Sequence, residues 1–131
     1  MALKKLGVCV QVIPHDKQRY QTVGDWWLDR QTGILEVRVS ELGNWKMEMA
    51  IASHELHEAV LCLARGIKEE DITQFDMAYE AKRIAGDFSE PGDSIDAPYK
   101  REHQFATAVE QFLINELQID WEKYEKTVNA L

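Results

Sequence analysis

The first forty residues alternate. Leu6, Val8, Val10 and Val12 are separated by Gly7, Cys9 and Gln11, a period of two that predicts a strand ended by Pro14. Tyr20 to Asp29 is aromatic-rich, and Arg30-Gln31-Thr32-Gly33 reads as a hairpin turn. Ile34 to Ser40 alternates again, with Leu35, Val37 and Val39 on one side and Glu36 and Arg38 on the other, a strand with one dry face and one wet face. A small, mostly antiparallel sheet of about three strands is expected.

After Leu42-Gly43-Asn44 the period becomes helical. Trp45 to Arg65 contains no Gly or Pro, is rich in Ala, Leu, Met and Glu, and meets Gly66 as a C-terminal cap. Its apolar side chains (Met47, Met49, Ile51, Leu56, Val60, Leu61 and Leu63) lie almost all the way round, the pattern of a helix buried between a sheet and other helices. A second helix is predicted from about Thr73 to Ala85, with Thr73 and Asp76 as a capping pair and Phe75, Tyr79 and Ile84 facing inward. Gly86 to Pro98 reads as an acidic loop, Tyr99 to Leu117 as a third helix started by Pro98, and Trp121 to Val128 as a short final one. The fold class is α+β, in a single domain over residues 1–131.

Composition narrows the class of function. With 131 residues, 45% apolar and 29% charged, the chain can bury a core without needing a disulfide or metal merely to fold. The formal net charge is −8, and the whole surplus lies in residues 66–131, because residues 1–65 carry 8 basic and 8 acidic side chains. That argues against nucleic acid or an anionic membrane surface as the main partner, since both require a basic face. No apolar run is long enough to span a bilayer, and Met1-Ala2-Leu3-Lys4-Lys5-Leu6 lacks the apolar stretch of a signal peptide. Cys9 and Cys62 read as buried thiols of a reducing cytoplasm rather than as a disulfide. Trp26, Trp27 and Trp45 are either core or an exposed patch, and His15 is expected in a loop.

The long helix carries His54-Glu55-Leu56-His57-Glu58 at its centre, and ionisable groups inside a buried helix are costly unless paired or bound to something. His54 and Glu58 are four apart and project from one face, so both can reach a single ion, while Glu55 lies about 100° round from His54. In a His-Glu-x-x-His zinc helix the two end residues hold the metal and the Glu is general base on a water; here the last position is Glu58. The third ligand must come from His15 or His103. His103 is favoured because it stands within a helix and is followed on the same face by Thr107 and Glu110. Two histidines and a carboxylate is a donor mix that catalytic zinc takes, with the fourth position left to water. Glu110 would then orient an imidazole from behind. His57 either replaces Glu58, bonds a carboxylate such as Glu110, or sits on the surface.

Ser53-His54-Glu55-Leu56-His57-Glu58-Ala59-Val60, following a sheet, resembles the minimal zincin metallopeptidase core. More closely, the chain is similar to small phage- and prophage-encoded proteins with a His-Glu-Leu/Ile-x-Glu-Ala helix and a later segment like Ala97-Pro98-Tyr99 through His103, Ala106 and Glu110. The resemblance covers roughly residues 34–121. It implies a metallopeptidase-like protein with His54, Glu58 and His103 as ligands and Glu55 as general base; Glu58 in place of a second histidine is the departure from the usual zincin.

The expected function is therefore zinc-dependent hydrolysis of an amide bond in a peptide or protein, with Tyr99 or Lys100 steadying the oxyanion and the acidic loop 87–98 acting as a lid or as a recognition surface for basic segments. A second reading is a non-catalytic acidic protein of phage type that binds a host protein. A third is a nucleotide hydrolase using Mg²⁺ or Mn²⁺ on Glu55, Glu58 and Glu110.

Overall fold

The computed structural model describes residues 3–131; Met1 and Ala2, the first two residues of the stretch Met1 to Leu6 read as no signal peptide, lie outside the described residues. Three strands precede four helices: β1 (Gly7–Ile13), β2 (Gly24–Asp29), β3 (Ile34–Ser40), α1 (Trp45–Arg65), α2 (Glu69–Ala81), α3 (Lys100–Glu116) and α4 (Trp121–Asn129). The fold is α+β, as the change of period at residue 44 predicts.

The sheet is mixed rather than mostly antiparallel. Its order is β1-β3-β2: β2 and β3 form the expected hairpin, closed by Gly33 at φ 72°, whereas β1 runs parallel to β3 on the other side. Residues 14–23 carry the chain across the sheet, so β3 is central and both of its edges are paired. Leu35, Val37 and Val39 are wholly buried against the helices. Val8, Val10 and Val12 lie in register beside them, but on the edge strand they remain exposed. Cys9 is half-buried and Cys62 buried, both as free thiols.

α1 has the predicted bounds because both ends are built in. The Asn44 side chain accepts from the backbone N–H of Lys46 and Met47, and Gly66 takes the left-handed conformation at φ 71° that ends the helix. One face of α1 covers β2 and β3 and another packs along α3, with Ala50, Ala59 and Ala106 fully buried where small side chains permit close approach. The helix is not sheathed on every side: Trp45 is 66% exposed, and Met49 and Val60 also face out, while Trp26 belongs to the core. Arg65 and Glu102 pair at 2.5 Å, joining α1 to α3.

α2 begins and ends four residues earlier than the sequence pattern suggests. Glu69, Glu70 and Asp71 fill its first turn, where carboxylates complement the helix dipole, so Thr73 lies inside the helix and is not a cap. Asp76 is consequently buried, and Ile84, beyond the helix end, is 73% exposed rather than inward-facing. No helix among the described residues is long and apolar enough to cross a membrane.

Candidate metal centre

α1 places His54 and Glu58 one turn apart on its buried face, and α3 brings His103 against them. Three atoms converge there. His54 Nε2 lies 3.2 Å from Glu58 Oε2 and 3.2 Å from His103 Nδ1, and His103 Nδ1 lies 3.0 Å from Glu58 Oε2. A tetrahedral ion with bonds of about 2.0–2.1 Å holds its donors about 3.3 Å apart, so the triangle has the right size for three corners of such a site. His54, Glu58 and His103 can hold a metal ion.

The far side of each ligand is also occupied. Glu110 Oε1 accepts from His54 Nδ1 at 2.7 Å, and Tyr124 donates to the other Glu110 oxygen at 2.6 Å. Glu90 accepts from His103 Nε2 at 2.9 Å, with Asp93 at 3.6 Å. Trp26 donates its indole N–H to Glu58 Oε1 at 3.1 Å. These contacts fix the tautomers: each imidazole gives its proton outward and turns a lone pair toward the third ligand. Three acceptors facing one another at this spacing repel unless a proton or a cation sits among them.

Electrostatics agree with that picture. Burial presses His103 toward neutrality, yet its bonds to Glu58 and Glu90 and the charge of Glu58 outweigh it and lift the pKa to about 10. His54 is likewise pushed well above its ordinary value, burial being overcome by Glu110 and Glu58. Burial raises Glu58, but hydrogen bonds from both imidazoles and their charges win and pull it down to about 2. The raised histidine pKa values favour protons on the cluster when no ion is present, so a metal held there would have to displace them.

Glu55 stands apart from the triangle. It is 8% exposed, lines the adjoining cavity, and has no hydrogen-bond partner among the described residues. Burial, then the charge of Glu58, push its pKa well above the usual carboxylate range, with His54 and His103 opposing. An unbonded buried carboxyl with a raised pKa is suited to taking up a proton.

Two glycines make room for these groups. A Cβ on Gly92 would meet the His103 ring, coming within 2.5 Å of Nδ1, and a Cβ on Gly24 would fall 2.5 Å from Glu55 Oε1. The two substitutions are expected to separate the functions of the site. Gly92→Ala tilts His103 out of the triangle and lowers metal affinity about 10–100-fold, the range of perturbed support around a ligand. Gly24→Ala shifts Glu55 and leaves metal affinity near wild type. Calorimetric zinc titration of both variants checks this.

Other expected site residues fall elsewhere. His57 turns away, donating from Nδ1 to the Ser53 carbonyl at 2.6 Å with its ring beside Phe105, and it supports neither the triangle nor Glu110. The Tyr99 hydroxyl donates to Asp76 at 2.5 Å and its ring stands edge-on to His103, while Lys100 Nζ donates to the Asp93 carbonyl at 2.8 Å. The single hydroxyl hydrogen of Tyr99 is thus committed to Asp76, and Lys100 does not line the cavity. Glu110 turns its oxygens to His54 and Tyr124, and Glu55, Glu58 and Glu110 are not among the groups of described residues that converge closely enough to share an ion, Mg²⁺ or Mn²⁺ included. His15 bonds Ser40 Oγ at 2.8 Å from the short turn after β1.

The sequence pattern assigns no site role to four contributors: Trp26, Tyr124, Glu90 and Asp76. A hint exists for Tyr124, since a tyrosine on the inward face of an amphipathic helix seeks a polar partner. Asp76 accepts from Tyr99 and from Tyr20 at 3.1 Å, yet burial carries its pKa up to about 6. A carboxyl that binds its proton more tightly folded than unfolded favours the native state as pH falls from above 6 toward its ordinary value near 4. Asp76→Asn is expected to remove that gain, seen as a flatter dependence of denaturant midpoint on pH between about 4 and 7.

No known protein family, no curated protein and no solved structure matches this chain.

Proposed function

We propose that this protein is a zinc-dependent hydrolase acting on an amide bond of a peptide or protein. The observation that carries the reading is the convergence of His54 Nε2, Glu58 Oε2 and His103 Nδ1 within 3.2 Å, each imidazole backed by a carboxylate. Two imidazoles and one carboxylate suit zinc, and three protein donors leave a coordination position open, as catalytic rather than structural sites do. A zinc ion held there supplies Lewis acidity, acidifying water and polarising a carbonyl.

The protein's own groups supply the proton traffic and the dry surroundings. Glu55 is the base: it faces the cavity, has no competing hydrogen bond among the described residues, and is 8% exposed. It takes a proton from water and returns it to the leaving amine. A nearby dication would draw its raised pKa back down, toward the range in which one carboxyl can both accept and donate near neutral pH. Trp26 holds Glu58 in place, and Glu110 with Tyr124 holds His54, so the donors keep their positions as charge develops.

The test is reconstitution. Protein stripped by a chelator and retitrated is expected to bind one zinc per chain by calorimetry. Cleavage of a mixed peptide library, read by mass spectrometry, is expected to disappear on stripping and return with zinc. A stripped protein that folds normally and takes up no zinc would end this reading.

A further inference from the structure

The metal triangle opens onto a cavity of about 800 Å³, within the size range of small-molecule and short-peptide sites. Its wall is lopsided in charge: eleven of the lining residues are Asp or Glu, against a single arginine. That arginine, Arg83, is held by both oxygens of Glu80 and lies 3.9 Å from Asp87. Asp25, on the same wall, is paired with Arg19. Neither these arginines nor a bound dication brings the wall near neutrality. Unpartnered acidic groups are not confined to the solvent side: the Glu55 carboxyl lies 8% exposed in the interior of the same cavity without a hydrogen-bond partner among the described residues.

A concave wall of one sign concentrates its field in the cavity. A neutral side chain entering it gains nothing from that field, and a carboxylate is repelled. The mouth also offers apolar surface: Phe88 and Ile84 line it and are largely exposed. Asp93 and Glu125 line the same cavity, Glu125 from α4. A long side chain with an apolar stem and a charged head satisfies both features at once. We infer that the site selects substrates bearing a lysine or arginine side chain next to the bond to be cut, its stem on Phe88 and Ile84 and its charge toward Asp93 and Glu125. This rests on the hydrolase reading and adds its substrate class.

The test uses three N-acetyl amino-acid hydroxamates as probes, identical in their metal-binding group and differing in side chain: arginine, norleucine and glutamate. Each is titrated by calorimetry into zinc-loaded protein. The arginine probe is expected to bind about tenfold tighter than the norleucine probe and the glutamate probe more weakly than either. The arginine advantage is expected to shrink in about 1 M salt, where the screening length falls to about 3 Å. Glu125→Gln is expected to reduce that advantage about twofold to fivefold while leaving the norleucine probe unchanged. Equal, zinc-dependent binding of all three probes overturns the cationic preference and leaves the metal site standing. An arginine advantage that Glu125→Gln does not alter overturns the placement of the charge at this rim. Failure of all three to bind zinc-loaded protein overturns the hydrolase reading beneath the proposal.

Discussion

Replacing His103 with alanine is expected to lower zinc affinity by up to about a thousandfold, with no loss of the fold. Structural zinc sites bind with apparent energies of roughly 10–16 kcal/mol shared among four donors, so one donor is worth roughly 2.5–4 kcal/mol, up to about three decades in affinity. His103 is also the only one of the three ligands that does not come from α1. Without it, His54 and Glu58 remain as a two-point site on one helix, too weak to survive dialysis. His54→Ala removes a donor too, but it also strips Glu110 of the imidazole it supports, leaving a buried carboxylate with Tyr124 alone. That variant should lose stability as well as zinc, by about 1–3 kcal/mol for the stranded acceptor. Glu110→Gln keeps an acceptor for His54 and is expected to cost only about 10–100-fold in affinity. The order His103→Ala worse than Glu110→Gln, measured by competition against a chromogenic chelator with circular dichroism as the folding control, is diagnostic of coordination. Equal zinc affinity in wild type and His103→Ala would show that the ion, if bound, sits elsewhere.

What the sequence made legible follows from how local each signal is. The bounds of α1 were readable because Asn44, Gly66 and an uninterrupted run of helix formers all act within a few residues. The alternation of β3 was readable for the same reason. The direction of β1 was not: Val8, Val10 and Val12 alternate identically whether their partner runs parallel or antiparallel, and only the crossing by residues 14–23 decides. The start of α2 was misplaced because Glu69, Glu70 and Asp71 look like surface charge until their position at a helix N-terminus gives them a role.

The site divides in the same way. His54, Glu55 and Glu58 declare themselves through helical spacing on one element, and His103 through its own helix. Trp26, Tyr124 and Glu90 act through a single polar atom brought across the fold, and apart from the place of Tyr124 on an amphipathic helix nothing in their neighbourhoods along the chain marks them. His57 shows the converse. Its proximity to His54 in sequence suggests a share in the site, but His57 lies about 60° to one side of His54 and Glu58 about 40° to the other, so His57 points away from the Glu58 side and the Ser53 carbonyl satisfies it.

Glu55→Gln is expected to abolish hydrolysis while leaving zinc in place. The side chain is nearly isosteric, touches none of the three ligand atoms, and has no hydrogen bond among the described residues to lose, so metal affinity and thermal stability should stay close to wild type. Stability should even rise slightly, since an amide bears no charge to bury beside Glu58. What disappears is a carboxyl that faces the cavity from beside the metal triangle with no hydrogen bond among the described residues. General acid–base catalysis contributes typically about 10²–10⁴-fold, so kcat is expected to fall by that factor with little change in KM. The two measurements must be read together, because zinc loss and base loss both silence an enzyme and only the second leaves one ion per chain. A Glu55→Gln protein that retains zinc and still cleaves at the wild-type rate would remove Glu55 from the chemistry. If neither protein cleaves anything while both bind zinc, the ion is structural, and the acidic half of the chain then argues for a protein that occupies a partner rather than one that cuts it.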